Sequence, residues 1–285
     1  MESLAIIAEF NPFHTGHARL IRQVRQAAGP EAAIVIIMSG AFVQRGEPAF
    51  FDKWHRAAWA IDGGADVVIE LPAVYALSSA AGFAQGGVTL AARLGCQALA
   101  CGVEGGTAAD FLSLARRSEG LTACLKAAKK SSAGQQLTDA LMAAAPDEAR
   151  LLQQPNALLA FEYARAMLKQ EQPLTFLPLP RQGRHGDTGL GAAFASASAL
   201  RQAMRCSGTA AACRPYLIAA SLAGAEDQLA QGAFTDYGRY GDFVASHNRL
   251  LTPDQLRSLP AFTEGLENRW HRAFMESGSY DQALR

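Results

Sequence analysis

The sequence predicts an α/β fold, a Rossmann-like, doubly wound parallel sheet with helices on both faces. Three observations predict it. Four short runs, Leu4 to Ala8, Ala33 to Met38, Asp66 to Ile69 and Ala98 to Cys101, are nearly continuous in hydrophobicity, as strands covered on both faces need to be. The segments between these runs carry helical periodicity. Strand and helix alternate at the spacing of right-handed βαβ units.

Each element has its own signature. From Gly16 to Ala28, Leu20, Ile21 and Val24 fall on one helical face and arginines on the other. Lys53 to Ile61 and Ala84 to Leu94 read as helices closed by Gly63-Gly64 and Gly95. Residues 107–150 are rich in Ala, Leu and Lys and poor in β-branched residues, which predicts a helical insertion. "QPNALLAFEYARAMLK" predicts a helix and "PLTFLPLP" a last strand. "RQGRHGDTGLG" predicts a basic loop, and "ASASALRQAM" a helix opened by serines. Beyond Cys206 the periodicity is helical. The expected organisation is a sheet domain over 1–205 and a helical region over 206–285.

Composition narrows the function. The 285 residues are 49% hydrophobic with zero formal net charge, enough for a sizeable core and too balanced for a global nucleic-acid field. Five cysteines without a CxxC pair predict reduced thiols rather than zinc or disulfides. No apolar stretch is long enough to span a bilayer, and no signal sequence opens the chain. A cytoplasmic protein without membrane association is expected.

"EFNPFHTGHARL" (residues 9–20) falls between the first strand and the first helix. Ligands of open α/β sheets bind beyond the carboxyl ends of strands, and free N–H groups at a helix N-terminus suit phosphate. Gly16 permits close backbone approach. His14 and His17, three apart, can present both imidazoles to phosphate oxygens as charge grows on them; the plainer role is helix capping. Zinc ligation by the pair lacks a matching Cys or carboxylate. After the second strand, "SGAFVQRGEPAFFDKWHRA" places Gln44 and Arg45 above the sheet as a substrate loop, with Asp52 as a candidate helix cap. Glu70, at a strand end before Pro72, is expected to be buried and paired with Lys53 or Arg56, or to help place Mg²⁺.

"HTGH" resembles the HxGH signature of the nucleotidyltransferase superfamily. "IIAEFNPFHTGH", "MSGAFVQRGEPAFFDKWHRA", "DVVIELP", "ACGVE", "QPNALLAFEY", "ASASALR" and "ENRWHRAF", in that order, resemble one family within it, tRNA(Met) cytidine acetate ligase. The resemblance implies a nucleotidyltransferase domain that activates acetate with ATP and Mg²⁺ as acetyl-adenylate. It then transfers the acetyl group to the wobble cytidine of elongator tRNA(Met). It implies an ATP site over Ile7, Ala8, Glu9, Phe10, Asn11, Pro12, Phe13, His14, Thr15, Gly16, His17, Ala18, Arg19 and Leu20. Gly102, Asn156 and Arg181 join that site, with Arg184 a competing choice for Arg181. His14, His17 and Arg201 are implied to be catalytic, with Ser196 and Ser198 meeting phosphate or capping the helix. Ala41 stands where the family has Asn. Family members continue as basic helical sequence past the "ENR" segment, so a fragment, a short variant, or a paralogue that adenylates something else is expected. Two other readings remain open: an adenylyltransferase for a small phosphorylated metabolite, and a non-catalytic nucleotide- or RNA-binding module.

Overall fold

The computed structural model describes residues 2–127, 133–181, 190, 195–259, 262 and 265–284. The contacts divide the chain into two compact units, Met1–Phe234 and Thr235–Arg285. The first unit is built on five parallel strands: β1 (Ser3–Ala8), β2 (Ala33–Ser39), β3 (Val67–Leu71), β4 (Ala98–Val103) and β5 (Thr175–Pro180). Their order, β3-β2-β1-β4-β5, reverses direction between β1 and β4. That reversal opens a crevice at the carboxyl ends of these two strands.

Period-2 alternation sorts the strand side chains onto two faces. Ala5, Ile7, Val35, Ile37, Leu99 and Cys101 enter one cluster with Phe83, Ala84, Val88, Tyr163 and Ala164. This face is covered by α3 (Ala73–Ala76), α4 (Ala80–Arg93), α5 (Ala108–Ala127), α6 (Ala133–Ala144), α7 (Pro146–Ala149) and α8 (Pro155–Met167). The helices between β4 and β5 therefore belong to the crossover layer: Phe111, Leu114, Leu137 and Leu141 are all core residues. The other face carries α1 (Thr15–Ala28) and α2 (Lys53–Asp62), with Ile21, Val24 and Trp59 buried. Beyond β5, α9 (Ala197–Ser207) and α10 (Ala219–Ala230) complete the first unit.

The second unit consists of α11 (Tyr237–Leu250), α12 (Pro253–Arg257), α13 (Leu266–Glu276) and α14 (Tyr280–Ala283). Within it, Trp270 Nε1 donates to Asn248 Oδ1 at 2.7 Å, and Arg257 pairs with Glu267 at 3.1 Å.

Helix ends follow their sequence signals. Asp52 caps α2, accepting from Trp54 N and His55 N, and Ser79 caps α4, which begins at Ala80, four residues before the predicted start. Gly63, past α2, is required by packing: a Cβ there would lie 2.3 Å from the Phe13 ring. The described cysteines Cys96, Cys101, Cys206 and Cys213 are free thiols. Among the described residues no helix is long and apolar enough to cross a membrane.

One expectation changes. Glu70 is not buried: its side chain is 48% exposed and pairs with Lys53 at 2.5 Å. Gly40, just past β2, lies against this carboxylate, which leaves no room there for a Cβ. Arg56 has a different task. It is fully buried and spends its guanidinium on backbone carbonyls: Nε on Phe51 O at 3.0 Å, and Nη1 on Glu9 O at 2.5 Å and Ser39 O at 3.1 Å. Its Nη2 donates to Gly40 O. Replacing it strands buried acceptors, each worth about 1–3 kcal/mol. Arg56→Met is expected to lower unfolding free energy by at least about 3 kcal/mol in urea denaturation, with Arg56→Lys recovering only part of the loss.

Candidate active site

A cavity of about 560 Å³ opens at the crevice between β1 and β4. Its walls come from the β1–α1 turn, the loop after β2, and the first turns of α8 and α9.

The β1–α1 turn is an unusual structure built from ordinary rules. Phe10 adopts a positive φ of 47° and is buried against the rings of Phe13 and His17, with centroids 4.9 and 4.7 Å away. Asn11 Oδ1 accepts from Phe50 N at 2.8 Å, fastening the turn to the loop that precedes α2. His14 then takes the N-cap position of α1, where Ser, Thr, Asp or Asn is usual. Its Nδ1 accepts from Gly16 N at 3.0 Å, while His17 Nδ1 accepts from His14 N at 3.3 Å. The histidines thus form a reciprocal capping box, stacked at 3.7 Å between centroids. Gly16 makes room for this: a Cβ there would sit 2.8 Å from His14 Cε1. Its side-chain absence serves the imidazole as well as any ligand.

Capping fixes the chemistry of both rings. Each Nδ1 is occupied as an acceptor, so each neutral ring carries its proton on Nε2. His14 Nε2 is buried with no hydrogen-bond partner in the protein, a donor waiting for an acceptor. Burial, reinforced by the Arg181 guanidinium, pushes His14 down to about 3. Burial, His14 and Arg181 hold His17 well below the usual range as well. Both imidazoles are neutral donors at pH 7.

Positive charge and further donors stand around them. Arg201 donates from Nη1 to Asn11 O at 2.6 Å and from Nη2 to Ser198 Oγ at 3.3 Å. Ser196 caps α9, accepting from Ala199 N at 3.1 Å, and also lines the cavity, so the N-terminus of this helix opens onto it. Arg181 is placed through two intermediaries. Its Nη1 donates to Asn156 Oδ1 at 3.3 Å, and Asn156 Nδ2 donates to Glu104 Oε1 at 2.5 Å. Glu104 Oε2 accepts from Ala157 N at 3.2 Å in the first turn of α8. Arg184 lies outside the described residues, as does most of "RQGRHGDTGLG".

The loop after β2 forms the opposite wall. Phe42 and Pro48 bridge antiparallel, and Val43 N donates to Glu47 O at 2.9 Å, which closes the loop into a tight turn. Gln44 N donates to Glu9 Oε1 at 2.8 Å. Burial raises the Glu9 carboxyl pKa, opposed by Gln44 and by the charges of Arg201, Arg45 and Arg56.

Most residues expected at the site meet at this cavity. Ile7, Ala8, Glu9, Phe10, Asn11, His14, Thr15, Gly16, His17, Arg19 and Leu20 line it. Gln44, Arg45, Gly102, Asn156, Arg181, Ser196, Ser198 and Arg201 line it too. Among the described residues of the stretch, Pro12, Phe13 and Ala18 do not; Phe13 and Ala18 are buried as structural support. Sequence reasoning missed Glu104, whose role needs three segments brought together. It also missed Phe83, Cys101, Leu159 and Tyr163, which look like core residues in sequence and also face the cavity.

An open parallel sheet whose switch-point cavity presents an HxGH turn, two neutral imidazoles and a helix N-terminus defines a nucleotidyltransferase. The chain belongs to the HIGH Nucleotidyl Transferase family, whose sequence model matches residues 1–285. Two relatives are similar along the entire chain. The tRNA(Met) cytidine acetate ligase of Latilactobacillus sakei is 36% identical over 291 aligned residues, covering 100% of this chain and 72% of that protein. The tRNA(Met) cytidine acetate ligase of Pediococcus pentosaceus is 35% identical, covering 100% and 73%. Among solved structures, Thermotoga maritima TmcAL in its apo form I superposes with a TM-score of 0.91 at 31% identity, covering 100% of this chain and 70% of that one. The same protein bound with alpha-thio ATP gives a TM-score of 0.87 at the same identity and coverage.

The depressed histidine pKa values set a pH dependence of stability. The folded state favours the neutral rings, so their contribution is complete above the unfolded value of 6.5 and is lost as pH falls toward about 3. Unfolding free energies measured by urea denaturation from pH 7 to pH 4 are expected to fall with a slope approaching about 1.4 kcal/mol per pH unit for each histidine. His14→Gln is expected to flatten that slope by one proton; an unchanged slope would show that His14 is not the group being titrated.

Proposed function

We propose that the chain is a cytoplasmic, ATP-dependent ligase that acetylates the wobble cytidine of elongator tRNA(Met). The observation that carries this reading is the reciprocal histidine cap, which commits both Nδ1 atoms to the backbone and leaves both Nε2–H groups as neutral donors beside Arg201 and the α9 N-terminus.

In this reading the triphosphate of ATP lies between the β1–α1 turn and α9. A carboxylate oxygen of acetate attacks the α-phosphorus, and the bond from phosphorus to the bridging oxygen of pyrophosphate breaks. The electron pair leaves with pyrophosphate, giving acetyl-adenylate. Charge grows on the phosphoryl oxygens during this step, where His14 and His17 donate. Arg201, fixed to Asn11 O, stands by the departing pyrophosphate. Arg181, positioned through Asn156 and Glu104, provides a second cation on the α8 side. In the second step the exocyclic amine of cytidine attacks the acetyl carbonyl carbon, AMP leaves with the bonding pair, and the amine releases a proton. The Gln44–Arg45 loop is placed to meet the acyl group or the incoming base. Among the described residues no group of three or more His, Cys, Asp or Glu gathers to hold a metal. A Mg²⁺ ion bound with ATP would neutralise phosphate charge.

Incubation with ATP, labelled acetate and tRNA(Met) is expected to yield labelled tRNA and pyrophosphate. No label, under conditions in which Thermotoga maritima TmcAL transfers it, would overturn the proposal. His17→Asn and Arg201→Ala are each expected to lower the rate of acetate-dependent pyrophosphate release by about 10²–10³-fold. Far-ultraviolet circular dichroism would check that both variants remain folded. Glu104→Gln is expected to raise the KM for ATP with a smaller change in kcat, because it acts only by aiming Arg181.

A further inference from the structure

The cavity lining includes residues packed on both faces of the sheet, and these two flanks differ in chemistry. Gly102 sits beside Leu20 and Arg181, whose carbons lie 3.9 and 3.8 Å from where its Cβ would be, so this flank belongs to α1 and the end of β5. The histidines, Arg201 and the α9 N-terminus all lie at the β1–α1 turn or around it. These groups suit a nucleotide phosphate, and Arg181 stands between them and the first turn of α8, where it bonds Asn156.

The other flank shares Ile7 and Asn156 with the nucleotide site that the family resemblance implies, and its remaining lining has no assigned occupant. Ile7 on β1 and Cys101 on β4 point to the face covered by α4 and α8, where they meet Phe83 and Tyr163 in one cluster. Asn156, Leu159 and Tyr163 recur at helical spacing on α8 and all line the cavity. The first of them bonds Arg181, and the other two continue away from it along α8. Beyond the Asn156 amide at its start, this flank is apolar apart from a thiol, a phenol and the Glu9 carboxyl at its edge. Burial pushes the Cys101 thiol up to about 12 and the Tyr163 phenol well above its usual value, so both stay neutral. A triphosphate would find no cation among Ile7, Phe83, Cys101, Leu159 and Tyr163. A short alkyl group would find close apolar contact.

We propose that the α4–α8 flank, formed by Ile7, Phe83, Cys101, Leu159 and Tyr163, is the acyl subsite. It receives the alkyl end of a short carboxylic acid and turns the carboxylate toward His14 and His17. This deepens the ligase reading and rests on it. Its walls are the buried side chains of Ile7, Cys101, Phe83 and Tyr163 together with the half-buried Leu159, held by β1, β4, α4 and α8. Such a pocket discriminates by chain length, at roughly ten- to 200-fold for each surplus methylene.

The test is acid-dependent ATP–pyrophosphate exchange by the full chain, with acetate, propionate and butyrate supplied separately. The wild-type chain is expected to favour acetate over butyrate in kcat/KM by at least roughly tenfold. Phe83→Ala and Leu159→Ala are expected to shrink that preference by about tenfold or more, with the KM for ATP little changed. Ala80→Leu, at the cavity-lining start of α4, is expected to raise the KM for acetate by narrowing the subsite. Phe83 is a core residue and its variant can fail to fold; Leu159 and Ala80 are half-buried and carry the test independently. If the variants raise the KM for ATP and leave the acid preference unchanged, the flank holds the nucleotide and the inference is overturned. If the wild-type chain binds ATP but exchanges pyrophosphate with none of the acids, the ligase reading itself fails, and this inference with it.

Discussion

The site depends on one buried cation. Arg56 lies inside the protein with no exposed surface and gathers the carbonyls of Glu9, Ser39, Gly40 and Phe51. These acceptors belong to the ends of β1 and β2 and to the segment before α2; Glu9 and the loop that follows β2 line the cavity. Parallel strands finish with carbonyls that have lost their ladder partners, and such groups must be satisfied wherever water is excluded. A guanidinium is suited to this because its five donors are held in a rigid plane. The desolvation cost of the charge is offset by these bonds and by the Glu9 carboxyl nearby. The strand ends are thereby fixed before any ligand arrives, which is what a site that works by position requires.

Upon that base, the β1–α1 turn makes its capping groups and its candidate catalytic groups the same atoms. A serine at residue 14 would cap α1 as well, but it would leave no ring beyond the cap. With histidine at the cap and again three residues on, the helix N-terminus orders both imidazoles through Nδ1, and Nε2 is the atom left over. The unpartnered, buried His14 Nε2 is a local cost in stability retained at the cavity. Such costs persist where surrounding structure over-determines them. Phe10 at positive φ is the backbone counterpart, wedged by Phe13 and His17.

Much of this was legible in sequence. The apolar runs gave the strands because both faces of a parallel sheet are covered, and "NPFHTGH" could be placed at the switch point because it follows the first run. Serine capping of α9 followed from its propensity. What was not legible depends on meetings between distant segments. Arg56 reads as an ordinary helical arginine, since backbone carbonyls leave no trace in sequence. Glu104 sits in a quoted motif, yet its link through Asn156 to Arg181 joins β4, α8 and the end of β5. Glu70 was expected to be buried because it follows an apolar run; β3 is an edge strand, so its carboxylate reaches solvent and Lys53 instead. Phe83 and Tyr163 carry core signatures because they are core residues, and only the strand reversal beside them turns one face of each toward a cavity.

The division of labour between histidine and arginine follows from the same geometry. A protonated imidazole beside Arg181 would add charge to a site already rich in it, and burial makes that form costly. Charge acts over distance and with little angular preference, so the guanidiniums of Arg181 and Arg201 can supply it from the cavity walls. Direction cannot be supplied that way. A neutral Nε2–H, held by a backbone bond on the far side of its ring, points to one place and needs no reorganisation as negative charge develops there. Keeping the histidines neutral therefore costs little attraction for phosphate and preserves what the arginines lack: donors whose positions are fixed by the first turn of a helix.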